Sequence, residues 1–336
     1  MRLRTNVTIL VAVGLTSGLA GIARAQAGFV QIDVPGSLFT TATGVNNLND
    51  VVGWYTTNSS SGTGFEYDAG SFINLNISVP AAGTGISSPF TQPLAINDTG
   101  SIVGVFGGVA SGQAVSSGFL INSSGAIQIS PPNAIESEAT AIDDNGDIAG
   151  WFVNGQSQTE GFILGAASST YTPVSVPGAS ATEITGIDNN GDVVGIADLS
   201  TGEAGFLYDY GAASPQFFAF SLPVALAISA MSINDLGEIA CTYTDVNGGL
   251  DGCVSNRWTF STVDDPNGIG TTSITGINDE DLLAGSFVDS NGTMHGLLVT
   301  PEPSSAVLLG TALLLLGLMV AGRRFSSGAR RHPASG

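Results

Sequence analysis

Basic side chains are almost missing from this chain. Its 336 residues include no lysine and eight arginines, against 28 acids. Seven of the arginines lie near the two ends, so residues 26–300 keep 27 acids and one arginine, Arg257, for a net charge of about −26. So acidic a surface argues against nucleic acid as a partner, because the phosphate backbone repels it. It is compatible with divalent cations, with a hydrated polysaccharide matrix, or with solubility alone.

Groups suited to nucleophilic or general-base chemistry are also scarce. Residues 26–300 hold one histidine, His295, and the chain has two cysteines, Cys241 and Cys253. His295 begins a predicted strand, where a half-exposed structural residue is a commoner role than a general base. A thiol nucleophile is not favoured, because His295 lies one repeat away from the cysteines.

One twelve-residue segment recurs six times. Its copies occupy residues 44–55, 95–106, 141–152, 186–197, 232–243 and 276–287. With Gly53 and its equivalents as the marker, the spacings are 51, 46, 45, 46 and 44 residues. A fixed period in this range is typical of propellers and solenoids, whose units bury their apolar faces only against each other.

Each repeat has the pattern of four strands. A run of small or apolar residues is followed by Asn or Asp with Gly and then by a β-branched run, which predicts a hairpin, because Asx and Gly tolerate left-handed backbone. A third run opens with Gly-Phe in four copies, and a fourth run follows, as in residues 171–176. Four strands are the content of a propeller blade.

The two ends of the repeat array complement each other. Residues 29–36 match the fourth run of a repeat but precede the first copy, whereas the sixth copy runs out after its third run at 296–299. A closed ring uses both, and it leaves no long unpaired sheet edge. An open solenoid, the alternative, would need capping units. We therefore predict an all-β, six-bladed β-propeller over residues 26–300, built from four-stranded repeats and closed by the N-terminal strand.

The same reasoning assigns the inner strand of each blade. The small-residue run before the Asx-Gly turn, for example residues 182–187, is the first strand of its blade. Small side chains suit the crowded inner channel of a propeller. We therefore predict that these runs line the channel.

The two cysteines replace residues of the repeat pattern. Cys241 takes the place of Gly150, and Cys253 takes the place of Phe162, so both departures fall on neighbouring strands of one blade. One cross-strand disulfide explains both, and an exported protein meets the oxidising compartment that it needs. A pair of buried free thiols is the alternative.

Several turns cluster oxygen atoms that suit calcium. The candidate ligands are Asp143, Asp144, Asn145 and Asp147 in one turn and Asp188, Asn189, Asn190 and Asp192 in the next. However, the twelve-residue calcium loop with a distal bidentate Glu is absent, and backbone geometry alone explains Asx and Gly at hairpin turns. We therefore predict no cofactor and keep calcium as the alternative.

A carboxylate-based active site would need a pair that is unique to one or two repeats. Glu136 and Glu138, in a predicted loop before the third copy, are the least repeat-like acids, and we expect a solvated loop there, with a catalytic pair as the alternative. Trp54, Trp151 and Trp258 suit blade packing, or else a sugar-stacking platform.

The chain begins with the pattern of a signal peptide. Arg2 and Arg4 precede an apolar segment at residues 7–22, and Ala23 and Ala25 supply the small residues that a signal peptidase reads. We predict cleavage after Ala25, so that residues 1–25 are removed. An N-terminal membrane anchor is the alternative.

Residues 301–336 carry a three-part pattern. Pro301-Glu302-Pro303 precedes an apolar run at 306–322, which Arg323 and Arg324 follow. At 1.5 Å per residue, about 17 apolar residues just span a bilayer core, and the arginines behind them hold that end in the cytoplasm. We therefore predict one transmembrane helix at 306–322.

This tail closely resembles the PEP-CTERM sorting signal of Gram-negative bacteria. The resemblance implies recognition by an exosortase and removal or transfer of the tail during passage to the cell surface, usually in organisms that make extracellular polysaccharide. A stable single-pass anchor in the inner membrane is the alternative. The repeats, over residues 29–299, look like the HAF-type repeats of exported bacterial proteins, which imply no known activity.

Together these features predict an exported, non-enzymatic protein of the cell surface or extracellular matrix. Its expected partners are signal peptidase and exosortase during export, the membrane through the C-terminal helix, and an extracellular polysaccharide or surface protein. The alternative is a carbohydrate-active hydrolase or lyase with a carboxylate pair at the mouth of the propeller channel, since propellers host enzymes and binders alike.

Overall fold

The computed structural model describes residues 28–57, 62–75, 77, 87–212, 216–220, 225–256 and 259–300. The predicted signal peptide at 1–25, the sorting segment at 301–336 with its helix at 306–322, and the side chains of Arg257 and Trp258 lie outside these residues. In the described ranges, no helix is long and apolar enough to cross a membrane.

The described residues form twenty-four β-strands. After β1 (Gly28–Ile32), blade 1 contains β2 (Phe39–Val45), β3 (Val51–Thr56), β4 (Thr63–Asp68) and β5 (Ser71–Leu75). Blade 2 contains β6 (Ser87–Ile96), β7 (Ile102–Ala110), β8 (Gln113–Asn122) and β9 (Gly125–Ile129). Blade 3 contains β10 (Glu136–Ile142), β11 (Ile148–Val153), β12 (Thr159–Gly165) and β13 (Thr170–Val174).

The second half of the chain continues the pattern. Blade 4 contains β14 (Ala179–Ile187), β15 (Asp192–Leu199), β16 (Gly202–Asp209) and β17 (Phe217–Phe220). Blade 5 contains β18 (Ala225–Ile233), β19 (Ile239–Asp245), β20 (Leu250–Asn256) and β21 (Thr259–Val263). Blade 6 contains β22 (Ser273–Ile277), β23 (Leu283–Val288) and β24 (Met294–Thr300).

The strands form six four-stranded antiparallel sheets, which confirms the predicted six-bladed propeller. Five sheets use strands that follow one another in the chain, but the sixth has the order β1-β24-β23-β22. β1 pairs with β24, with Gly28 opposite Thr300 and Ile32 opposite Gly296. The N-terminal strand therefore completes the last blade, as predicted, and leaves no gap in the ring.

Strand direction gives the ring two distinct faces. One face, the turn face, carries the hairpins that join the first to the second strand and the third to the fourth strand of each blade. The opposite face, the connection face, carries the hairpins between second and third strands and the links from blade to blade. Because β1 begins and β24 ends at the paired residues Gly28 and Thr300, both ends of the chain leave the propeller on the turn face.

The marker glycine of each repeat is required by packing. Gly53 lies opposite Phe65 in the sheet, and a Cβ on Gly53 would lie 2.1 Å from the carbonyl oxygen of Thr41 and 2.8 Å from the Phe65 ring. No larger residue fits beside that ring without moving backbone. Sister blades repeat this Gly-Phe pair, and each of the phenylalanines is at most 1% exposed.

Blade 5 replaces the Gly-Phe pair with the two cysteines. Cys241 lies opposite Cys253, the two are joined by a disulfide with Cα atoms 4.9 Å apart, and both are buried. The predicted cross-strand disulfide is therefore confirmed. It fills the space that a glycine and a phenylalanine share in blades 1 to 4.

The first strands line the central channel, as predicted, and they bind one another there. Thr43 lies at a β-bulge, and its hydroxyl donates to Pro93 O in blade 2 at 2.8 Å, with Val52 O of its own blade 3.1 Å away. Thr140 makes the corresponding bond to Ile184 O in the next blade. These contacts hold adjacent blades in register around the channel.

Candidate functional sites

A closed ring of six hydrogen-bonded Asx side chains surrounds the turn-face mouth of the channel. One residue from each blade contributes, and we call the set the Asx ring: Asn47, Asp98, Asp144, Asn189, Asp235 and Asp279. Each Oδ1 accepts the backbone N–H of the preceding ring member, with donor-acceptor distances of 2.7–2.8 Å. The ring closes because Asp279 donates its N–H to Asn47.

The two asparagines lie opposite each other in this ring and separate its acids. The side-chain amide of Asn47 donates to Asp98 at 3.0 Å and to Asp279 at 2.9 Å. Asn189 bridges the other two carboxylates of the ring in the same way. Burial, with the nearby charges of Asp279 and Asp144, raises the pKa of Asp235. The four carboxylates therefore act as structural acceptors at a site where like charges crowd.

The residue before each ring member shapes the hairpin turn. The Oδ1 of Asp143 accepts the N–H of Asp147, and its Oδ2 accepts the side-chain amide of Asn145. The Oδ1 of Asp188 accepts the N–H groups of Asn190 and Asp192. Backbone geometry thus accounts for these Asx residues.

The calcium candidates fall in two such neighbouring turns. Within the described part of the chain, no group of three or more acids, histidines or cysteines has the arrangement of a metal site. The oxygens of Asp144 and Asp147 also accept protein N–H groups, from Asp98 and from Ala166 respectively. Calcium binding at these turns stays the alternative to the prediction of no cofactor.

A different pair of acids lies near the connection face. Glu138 and Glu183 occupy equivalent positions in the first strands of blades 3 and 4, opposite Trp151 and Ile196. The equivalent residues in blades 1, 2 and 6 are uncharged: Thr41, Gln92 and Ser273. A carboxylate at this strand position is therefore special to two adjacent blades.

Burial changes the acidity of this pair. Burial, with the charges of Glu183 and then Glu136, raises the pKa of Glu138 to about 7. Burial, with the charge of Glu203, also raises the pKa of Glu183. At neutral pH Glu138 is therefore partly protonated, so it can donate as well as accept a proton.

The structure corrects the predicted setting of Glu136 and Glu138. Both lie on strand β10 and not in a loop. The alternation along the strand, in which Ser137 and Ala139 are buried and the glutamates are half-buried, is the period of a β-strand. Alignment of the repeats five residues before the Asx turn reveals Glu183 as the counterpart of Glu138, and the twelve-residue motif alone missed it.

The tryptophans have different surroundings. Trp54 is half-buried beside Gly62 and Gln92. Trp151 is also half-buried and, as the cross-strand partner of Glu138, lies on the same side of its sheet. A sugar-stacking role for either one stays the alternative to blade packing.

His295 is held between two carboxylates in blade 6. Its Nδ1 lies 2.9 Å from Oδ2 of Asp33, and its Nε2 lies 3.6 Å from Oδ2 of Asp289. Both ring nitrogens thus face acids, and the side chain is 15% exposed. The contact with Asp33 could not be predicted from a motif, because the two residues come from opposite ends of the repeat array.

No family model and no curated protein matches the chain. Among solved structures, TolB from Acinetobacter baumannii has a TM-score of 0.48 and 11% identity, over 76% of this chain and 65% of TolB. A variant of the Aleuria aurantia lectin in complex with Fucα1-6GlcNAc has a TM-score of 0.49 and 10% identity, over 80% and 99%. The Trypanosoma rangeli sialidase in complex with the inhibitor DANA has a TM-score of 0.46 and 10% identity, over 83% and 56%. At these identities the likeness concerns the fold alone.

Proposed function

We propose that the chain is an exported, non-enzymatic binding protein of the cell surface or extracellular matrix of a Gram-negative bacterium. The observation that carries this proposal is the buried disulfide between Cys241 and Cys253, since such bonds persist in oxidising compartments. The signal-peptide pattern at 1–25 and the PEP-CTERM-like segment at 301–336 support export. Signal peptidase and exosortase would be its partners during export.

Binding is favoured over catalysis because the acids of the turn face already have structural roles. The four carboxylates of the Asx ring accept hydrogen bonds that join neighbouring blades. The connection face lies opposite the point where both chain ends leave the propeller, so it offers the surface for a partner. The partner would be an extracellular polysaccharide or a surface protein of the matrix.

Two measurements in the native host test this proposal. Cell-envelope and culture fractions are compared with and without the exosortase, and purified ectodomain, residues 26–300, is incubated with the matrix polysaccharide of the host. We expect a shortened surface or released form that depends on the exosortase, and retention on the polysaccharide. A full-length form in the inner membrane in both strains would instead identify the tail as an anchor, and loss of retention would reject the polysaccharide as partner.

A second candidate function is that of a carbohydrate-active hydrolase or lyase. The observation in its favour is the pair formed by Glu138 and Glu183, in which burial raises the pKa of Glu138 to about 7. A carboxylic acid that is partly protonated at neutral pH suits general-acid catalysis, and a second carboxylate can act as base or nucleophile. Trp151 on the same side of the sheet would contact the sugar ring.

Product analysis tests this second function. Wild-type ectodomain, Glu138→Gln and Glu183→Gln are incubated with the matrix polysaccharide, and new reducing ends and unsaturated sugars are measured. A hydrolase would release reducing ends and a lyase unsaturated sugars, and either variant should lower the rate at least about a hundredfold. Glu280→Gln, on the exposed turn of blade 6, is the control and should keep full activity. Absence of product from the wild-type protein would reject the enzyme.

A further inference from the structure

A cavity of about 520 Å³ opens on the connection face where the two ends of the propeller meet. We call it the seam pocket. Three segments of the chain line it: Gln31 of β1, Asn267 in the link between blades 5 and 6, and Asp289, Ser290 and His295 around the hairpin that joins β23 and β24. The pocket therefore exists only when the N-terminal strand has closed the ring.

Most side chains that line the seam pocket are polar, and several are held in place. His295 contacts Asp33 through Nδ1 and Asp289 through Nε2, and the Gln31 amide nitrogen lies 2.9 Å from the same Nδ1. The ring of Phe287 packs against the imidazole, with the two ring centroids 5.2 Å apart. The imidazole is therefore fixed by neighbours on several sides before any ligand arrives.

The carboxylates beside this histidine keep hydrogen-bonding capacity. The Oδ1 of Asp33 is buried and has no hydrogen-bond partner. Asp289 begins an Asx turn, and the N–H of Thr293 and the amide of Asn291 lower its pKa, so that it is charged at neutral pH. Of these two acids, Asp289 lines the pocket, and its charged carboxylate can accept a hydrogen bond from a ligand hydroxyl.

Blade 5 has the same strand arrangement but carries three acids at the corresponding positions. The counterparts of Asp289, His295 and Asp33 are Asp245, Asp251 and Asp264. There burial, with the charges of Asp264 and Asp245, raises the pKa of Asp251, as expected for three acids that repel one another. Of these two blades, blade 6 has a histidine between its acids, whereas blade 5 has a third acid there. The seam pocket is therefore a local departure from the repeat.

The charge of the surroundings restricts the ligand. The described residues contain 27 acids and neither lysine nor arginine, so sulfated, phosphorylated or uronic-acid sugars would be repelled. The pocket combines amide, hydroxyl and imidazole groups with one carboxylate, that of Asp289, and a sugar hydroxyl both donates and accepts hydrogen bonds. We propose that the seam pocket binds an uncharged pyranose unit of a polysaccharide, an assignment that rests on the proposed binding function.

The test uses residues 26–300, which form one closed propeller, and four variants of it. Asp289→Asn keeps the Asx turn but removes the charge, and Asn267→Ala removes one exposed amide. Asp245→Asn is the matched control, because Asp245 makes the same turn in blade 5. Gln156→Ala, on the exposed turn between β11 and β12, controls for loss of an amide. Binding is measured by calorimetry with the neutral and the acidic polysaccharide fractions of the host matrix.

We expect the wild-type protein to bind the neutral fraction, and each seam variant to bind it about tenfold or more weakly, as for loss of a hydrogen bond to a charged or amide group. Both controls should bind as the wild type does. Unchanged binding by both seam variants would overturn the site and leave the proposed function standing. Binding of the wild-type protein to the acidic fraction alone would have the same consequence. Binding to neither fraction would reject both the site and polysaccharide binding.

Discussion

The Nδ1 atom of His295 lies 2.9 Å from Oδ2 of Asp33, although 262 residues separate the two in the chain. Asp33 directly follows the N-terminal strand β1, and His295 lies on β24, the strand with which β1 pairs. The contact therefore adds a side-chain link to the backbone hydrogen bonds that close the ring. It gives the only described histidine a structural role at the seam.

Replacement of His295 by Gln should loosen the closure of the ring. A glutamine has one amide nitrogen in place of the two ring nitrogens that face Asp33 and Asp289, so one of the two contacts would be lost, at a cost of about 1 kcal/mol in unfolding free energy. Amide hydrogens of β1 should then exchange faster than those of β13, the fourth strand of blade 3. The matched substitution Asp251→Gln in blade 5 should instead raise the unfolding free energy, because it removes one of three like charges. Equal exchange of β1 in wild type and His295→Gln would contradict the closure role.

Loss of the disulfide should destabilise blade 5, and the pattern of its sister blades should restore part of the loss. Cys253→Ser breaks a bond between residues 12 apart, which is expected to cost about 3 kcal/mol. The double variant Cys241→Gly with Cys253→Phe recreates the buried pair that blade 1 forms with Gly53 and Phe65. Chemical denaturation should give the double variant a higher free energy of unfolding than Cys253→Ser. A double variant less stable than the single would show that blade 5 cannot hold a phenylalanine ring.

Glu138→Gln should stabilise the protein at high pH and leave it little changed at low pH. Burial raises the pKa of Glu138 from 4.5 to about 7, so the folded state binds more protons than the unfolded state between those values. The contribution of Glu138 to the free energy of unfolding therefore falls as pH rises through that window, by at most about 3 kcal/mol. Gln92 at the equivalent position of blade 2 indicates that the strand accepts glutamine.

Unfolding free energies at pH 4 and pH 8 check this expectation. The difference between variant and wild type should be largest at pH 8. Glu280→Gln on an exposed turn is the control and should change little between the two values. A constant difference at both pH values would mean that the Glu138 carboxyl does not titrate in the window.

Substitution of a bridging asparagine should weaken the Asx ring. In Asn47→Asp the bridge to Asp98 and Asp279 is lost and a third like charge joins them, so we expect unfolding free energy to fall by about 2 kcal/mol at pH 7. The effect should shrink as pH is lowered and the carboxylates become protonated. Gln156→Glu makes the same charge change on an exposed turn and should cost less than about 0.5 kcal/mol. Equal losses in the two variants would show that the ring amide is dispensable.

Much of the fold follows from the pattern of residues along the chain. The spacing of the marker glycines predicts the number of blades, and the unmatched run at 29–36 predicts the closing strand. The replacement of a glycine and a phenylalanine by Cys241 and Cys253 predicts the disulfide, because residues at matched positions of a repeat occupy matched positions in space. These predictions need only strand periodicity and the repeat, and both are local properties.

The sites depend on which residues of different blades meet. Glu138 and Glu183 lie 45 positions apart, and only the packing of blade 3 against blade 4 brings their charges close enough to raise a pKa. The Asx ring closes only because six blades bring the last member, Asp279, back to Asn47.

The sequence by itself thus determined the repeat unit, the blade count, the closing strand and the disulfide, since each follows from local pattern. The tertiary structure alone decided which acids accept hydrogen bonds from the same asparagine and which pair of glutamates is buried. It also decided that His295 contacts Asp33 at the seam. The physical reason is that charge interactions and burial depend on distances between strands, and those distances are set when the ring closes.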